Sequence, residues 1–219
     1  MFLSGTCAEK SNIQEVKGLT PANKWIRRWK RRRMRKELRN HDFTILASNC
    51  NGGMISHELG EAFRSPFVNL WTYTPEFIRF LEDPKKYLGL ELVFIHEPGV
   101  HHPVAMLGDM KLYFQHYPTE DAVLEQWQRR KDRINWDNLF VLVTDQYCTE
   151  EDLRRFDALP YKNKVVFTHI PMPEIASAVY IPGFENQNSV GVCSEFTDRW
   201  RGKRHYDSFD FVSWLNGRT

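Results

Sequence analysis

No stretch of this sequence approaches the roughly 20 consecutive apolar residues that a membrane-spanning helix needs, which excludes an integral membrane protein of that kind. Cysteine is scarce and scattered: Cys7, Cys50, Cys148 and Cys193 include no pair at CxxC spacing. That spacing excludes a zinc knuckle and a dense disulfide framework, and reduced thiols are expected. The Gly-Lys-Ser/Thr ending of a Walker loop, the GxGxxG fingerprint and a DxD triplet are all missing. With 11 Pro and 12 Gly in 219 residues, the chain has neither a collagenous nor a linker-like composition. Glu9 and Lys10 stand where a signal peptide places its apolar stretch, so a cytoplasmic protein is expected.

What is present is a core-forming composition, 42% hydrophobic and 14% aromatic, of the size of one main domain. Charge is polarised along it. The run from Lys24 to Arg39 holds ten Lys or Arg and one Glu, a charge of +9 in a chain of net +2, which leaves −7 elsewhere. Good helix formers without Gly or Pro predict a helix there, with Trp25 and Trp29 on one face. Its apolar residues do not gather into a narrow stripe, so charge dominates its reading. The expected division is a basic N-terminal arm, 1–40, and an α/β domain, 41–219. Peripheral contact with the inner-membrane surface suits the arm. Phosphates of RNA or DNA would attract it too, but no nucleic-acid module follows and that partner is not favoured.

From Asp42 onward short apolar runs alternate with helical spacing. FTILAS (43–48) reads as a strand, Asn-Cys-Asn-Gly-Gly as a turn, and Met54 to Phe63 as a helix. Thr74-Pro75, Thr119 and Thr149 with Asp152 open further helices. LELVFI (90–95), residues 103–107 and 110–117, NLFVLVT (138–144) and KVVFT (164–168) read as strands, with Gly108-Asp109 as a hairpin turn. Phe209 to Leu215 ends in a short helix stopped by Asn216-Gly217. The expectation is an α/β, Rossmann-like three-layer fold with a mostly parallel sheet and one antiparallel hairpin.

Ligands of open α/β sheets bind beyond the carboxyl ends of the strands. The residues so placed are Asn49 and Cys50, His96, Asp109, Asp145 and His169. Among them Ser48-Asn49-Cys50-Asn51-Gly52-Gly53 is the most informative. A thiol at a helix N-terminus meets the positive end of the dipole, which favours the thiolate. The N–H groups of Asn51 to Gly53 would stabilise an oxyanion, and Gly52 and Gly53 would let the backbone approach a ligand closely. His116 is expected on a strand face with Leu112 and Phe114, either as an oriented core imidazole or as a general base. Arg129, Arg130, Lys131 and Arg133 suit the end of a helix, and Arg130 also suits a phosphate. No metal site is expected: His96, His101, His102 and Asp109 lack ligand spacing.

The segments FTILASNCNGG, SPFVNLW, LGDMKLYFQHYPTEDA, QWQRRKDRINWDNLFV, LPYKNKVVFT and FVSWLNG together resemble a bacterial family of unknown function labelled exopolysaccharide or capsular polysaccharide biosynthesis protein. The likeness runs from about Asp42 to Gly217. It implies a bacterial cytoplasmic protein of a surface-glycan pathway, with a sugar or glycolipid as substrate. The Asn49-Cys50 turn is also similar to the Gly-Asn-Cys turn of capsule acetyltransferases that bind coenzyme A, which implies a coenzyme A thioester as acyl donor. The expected activity is therefore acyl transfer to a sugar or lipid-linked sugar. Cys50 would be nucleophile or acyl-positioning thiol, His116 the base, and Asp109 or Asp145 its orienting carboxylate. Ser48, Asn49, Asn51, Gly52, Gly53 and Arg130 would bind ligand. The alternative is a non-catalytic scaffold that holds a nucleotide sugar or polyprenyl phosphate.

Overall fold

The structure is a computed structural model that describes residues 21–198 and 200–217. Cys7, Glu9, Lys10 and the first half of the basic arm lie outside them. The chain begins with α1 (Pro21–Glu37), β1 (Thr44–Ala47), α2 (Asn51–Leu59), α3 (Thr74–Glu82) and α4 (Pro84–Leu88). It continues through β2 (Val93–Ile95), β3 (Val104–Leu107), β4 (Met110–Tyr113), α5 (Glu120–Lys131), β5 (Leu139–Thr144), α6 (Glu150–Ala158) and β6 (Lys164–Thr168). β7 (Ala178–Tyr180), β8 (Phe196–Asp198), β9 (Lys203–Arg204) and α7 (Phe211–Leu215) complete it.

A four-stranded parallel sheet in the order β1-β5-β6-β7 forms the centre. Its strands are apolar on both sides because both are covered. Leu46, Val141, Val143 and Val166 enter one core with α3, α5 and α6, while Ile45, Phe140, Leu142 and Phe167 enter the other with α1, α2 and α7. The fold is thus mixed α/β with a parallel central sheet. Spatial order follows chain order without reversal, so these four strands contain no topological switch point of the doubly wound kind.

The hairpin is not an excursion of that sheet. β2, β3 and β4 make a separate antiparallel sheet, with Gly108 at φ +63° in the two-residue turn. Its residues Ala105, Leu107, Met110 and Leu112 pack into the first core. Consequently His96 and Asp109 do not stand at the edge of the parallel sheet, as the sequence reading expects.

Local chemistry explains most element ends. Thr119 caps α5 at Ala122 N (3.2 Å), and Thr149 with Asp152 forms a reciprocal capping box on α6. Gly60 at φ +76° stops α2 at Leu59, short of the expected Phe63. α3 is capped at Tyr73, one residue earlier than expected, and the Thr74 hydroxyl turns instead to Ser48 Oγ at 3.5 Å.

The basic helix α1 is packed onto the body. Met34 and Leu38 enter the second core, and Arg27, only 3% exposed, pairs with Glu58 at 2.9 Å and Asp207 at 2.8 Å. Arg31 forks onto Glu58 at 2.8 and 2.9 Å, and Arg35 donates to the Glu58 carbonyl near the end of α2. The buried side of α1 therefore carries guanidinium groups as well as Met and Leu, which is why no apolar stripe is visible in the sequence.

Candidate functional site

The carboxyl ends of β1, β5 and β6 bring Ser48-Asn49-Cys50, Thr144-Asp145-Gln146 and Thr168-His169 to one edge of the parallel sheet. Asp145, nearly buried, is the fixed point. Its Oδ2 accepts the backbone N–H of His169 at 2.9 Å and lies 2.5 Å from His169 Nδ1, while Oδ1 accepts the N–H of Val190 at 2.7 Å. A carboxylate accepts, so Nδ1 is the donor of this pair and Nε2 is the far nitrogen of the ring. No described residue bonds to Nε2, and the side chain is 20% exposed. The pair has the geometry of a positioned base: a carboxylate held by two backbone N–H groups orients an imidazole whose far nitrogen is open.

Around this pair the edge is polar and internally connected. Asn49 Nδ2 donates to Thr144 Oγ1 at 3.2 Å, and Asn49 Oδ1 accepts the N–H of Asn51 at 3.1 Å. Gln146 Nε2 donates to the Val190 carbonyl at 2.8 Å, which ties the same loop to β5. At the start of α2 the N–H groups of Gly52 and Gly53 donate to no described residue. The glycines themselves serve packing: a Cβ on Gly52 would lie 2.9 Å from Ala47 Cβ, and one on Gly53 would lie 3.0 Å from Val68 Cγ1. Their close approach is to the protein's own strand and loop, where the sequence reading expects a ligand.

Cys50 precedes α2 as expected, yet its sulfur is turned inward. Sγ faces the Leu70 carbonyl at 3.6 Å and Gln115 Nε2 at 3.4 Å. Burial pushes the thiol pKa up, and the Gln115 contact and the backbone only partly oppose it. The direction is opposite to the depressed pKa that the sequence leads one to expect, and burial is its largest cause. In a Cys7→Ser chain, alkylation of Cys50 is expected to be slow at neutral pH, with its midpoint above that of a free thiol peptide. A midpoint below that of the peptide contradicts the placement. β5 lies between β1 and β6, so Cys50 and His169 are separated by about two strand spacings, roughly 10 Å, and form no thiol–imidazole couple.

The other expected participants lie apart. β4 ends at Tyr113, so His116 sits in the following turn, exposed, and among the described residues no hydrogen bond joins it to Cys50. Asp109 is exposed at the hairpin tip, 2.6 Å from Tyr87 OH and 3.1 Å from Arg79 Nε. Arg130 is enclosed at 4% exposure: it donates to Tyr117 OH and, at 3.4 Å, to the Val68 carbonyl, and it lies over the Phe63 ring. There it braces the interior; the phosphate expected of it has no surface approach at that exposure.

An aromatic group stands beside the same edge. Thr72 N donates to the Ser48 carbonyl at 2.9 Å, which brings Trp71 and Tyr73 to β1. Trp71 stacks on Tyr113 with centroids 4.0 Å apart, and Tyr147, two residues beyond Asp145, meets Tyr73 at 4.9 Å and Trp71 at 6.5 Å. Tyr147 is 66% exposed and held at φ +61°, a conformation that costs a tyrosine energy. The sequence reading passes over these rings because isolated aromatics usually pack. Their signal is position: Tyr147 directly follows a strand-end segment. Among the described residues no three His, Cys, Asp or Glu converge as a metal site, and no described helix is long and apolar enough to cross a membrane.

Comparison with known proteins places this sequence in a family. The profile described as "Domain of unknown function (DUF1919)" matches residues 22–216, which takes in α1 as well as the sheet. An uncharacterized protein of Haemophilus influenzae is 43% identical over 205 residues, covering 93% of this chain and 98% of the relative.

Proposed function

The chain belongs to the DUF1919 family, and from that premise we propose that it transfers an acyl group to a hydroxyl of a sugar or lipid-linked sugar in a bacterial surface-glycan pathway, with His169 as general base. The observation that carries this reading is the Asp145–His169 pair at the carboxyl edge of the parallel sheet, with Nε2 open. In this reaction His169 Nε2 takes the hydroxyl proton as the sugar oxygen bonds to the carbonyl carbon of a thioester. The carbon–sulfur bond then breaks, and the proton passes to the departing sulfur. Asp145 holds the imidazole tautomer and stabilises the imidazolium formed midway.

The resemblance of the strand and turn motifs to exopolysaccharide biosynthesis proteins supports a glycan substrate. The rings of Trp71, Tyr73 and Tyr147 support it independently, since apolar C–H faces of a sugar pack on aromatic planes while its hydroxyls reach the polar edge. Cys50 has no nucleophilic role in this scheme; attack by the hydroxyl is direct. The test has two parts. Thermal melting with coenzyme A thioesters and with glycan acceptors is expected to rise for both classes, because a ligand that binds only the native state stabilises it. Thiol release from the thioester is then expected only when acceptor is present. Melting that rises with nucleotide sugar or polyprenyl phosphate alone, with no thiol released, would sink the acyl-transfer reading and favour a holding protein.

A further inference from the structure

We propose that the outward face of α1 docks the protein on the surface of an anionic lipid bilayer. The inference is independent of the acyl-transfer chemistry. α1 divides its cations by face. Positions 27, 31, 34 and 38 point to the body, where Arg27 and Arg31 are neutralised by Glu58 and Asp207. Positions 25, 28, 29, 32 and 36 share the other face by helical spacing. They are Trp25, Arg28, Trp29, Arg32 and Lys36, all exposed, with Trp25 at 69% and Trp29 at 55%.

Arg28, Arg32 and Lys36 meet no acidic side chain among the described residues, and this face holds no Asp or Glu. The nearest exception is Arg33, which is paired with Glu37 at 2.7 Å on the helix flank. Trp25, Arg28, Trp29 and Arg32 together bound a shallow cleft of about 100 Å³. A face that merely meets water rarely carries two tryptophans one turn apart, since each would be more stable packed. Indole rings suit the boundary between headgroups and acyl chains, and guanidinium and ammonium groups suit lipid phosphates. The helix is 17 residues long and strongly cationic, which fits lying on a bilayer rather than spanning it. The inward face fixes how it lies: Arg27, Arg31 and Arg35 clamp α1 to α2, so the body would sit on the membrane in a set orientation.

The experiment is flotation of the full chain with phosphatidylcholine vesicles and with vesicles that also contain phosphatidylglycerol. Binding is expected only to the second and is expected to fall as salt rises. The variant Arg28→Gln, Arg32→Gln, Lys36→Gln is expected to lower partitioning about 100-fold, at about fivefold per cation. Its melting temperature is expected to stay at that of the parent, because these side chains contact no acidic partner on the body. Trp25→Ala with Trp29→Ala is expected to weaken binding while leaving the salt dependence intact. Equal binding to both vesicle types, or a triple variant that binds like the parent, overturns the proposal. So does a chain that ignores vesicles but binds duplex RNA in a manner the triple variant loses.

Discussion

Replacing His169 by alanine is expected to lower acyl transfer by a factor of about 10² to 10⁴, the usual contribution of a positioned general base. The fold should survive, because the ring is partly exposed and its contact with Asp145 is its one hydrogen bond among the described residues. Asp145→Asn is expected to act through the ring. An amide in place of the carboxylate sets an N–H donor or a weaker acceptor against Nδ1, which releases the tautomer. Cys50→Ala should leave turnover within a few fold, since the sulfur is directed at Leu70 and Gln115 rather than at the open edge. Thiol release measured in the three variants separates the cases. A dead Cys50→Ala with an active His169→Ala would return the mechanism to the thiol.

The largest stability effect is expected from Glu58, the carboxylate that joins α1 to α2. It lies beside Arg27 and Arg31, with Arg204 3.9 Å away. Burial alone would raise its pKa, but the hydrogen bond from Arg31 and the charges of Arg27, Arg31 and Arg204 outweigh burial and hold the pKa at about 2, against an ordinary 4.5. A folded-state pKa below the unfolded one stabilises the native state above the unfolded value and is lost as pH falls through the folded value. The window therefore runs from pH 4.5 down to about 2. Across it the native chain is expected to lose about 3 kcal/mol from this one group. Glu58→Gln leaves buried guanidinium groups without their carboxylate, which costs about 3 to 5 kcal/mol at neutral pH. The parent and variant urea midpoints should therefore converge between pH 5 and 2; a constant separation contradicts the ion-pair account.

Elements specified by neighbouring residues were legible in the sequence. NLFVLVT and KVVFT are strands because continuous apolar residues suit burial on both faces, and Thr119, Thr149 and Asp152 mark their helices by local hydrogen bonding. What needed three dimensions was less so. In the sequence Arg27 and Arg31 are two cations of a uniformly basic arm; only the fold brings Glu58 and Asp207, the latter 180 residues away from Arg27, against them. The hairpin at Gly108 was visible, but its membership of a second sheet depends on tertiary packing against α3 and α5.

The same division runs through the site. Asp145 and His169 were each recognisable as strand-end residues, yet their partnership follows from β5 lying next to β6. His116 falls in one continuous strand-like run with Leu112 and Phe114, but β4 ends at Tyr113, before it reaches the histidine. Cys50 was correctly put before α2, but a sequence carries the sign of the helix dipole and not the depth of the sulfur, and here depth decides the pKa. The aromatic group gathers residues 71, 73, 113 and 147, a convergence that no spacing rule anticipates.

The most direct measurement of the site is long-range proton–nitrogen NMR correlation of the His169 ring at a pH where it is neutral. The account predicts a proton on Nδ1, shared with Asp145, and a pyridine-like Nε2 signal that shifts when a glycan acceptor is added. A neutral ring protonated on Nε2, unchanged by Asp145→Asn, would mean that the carboxylate does not orient the imidazole and that no base is presented at this edge.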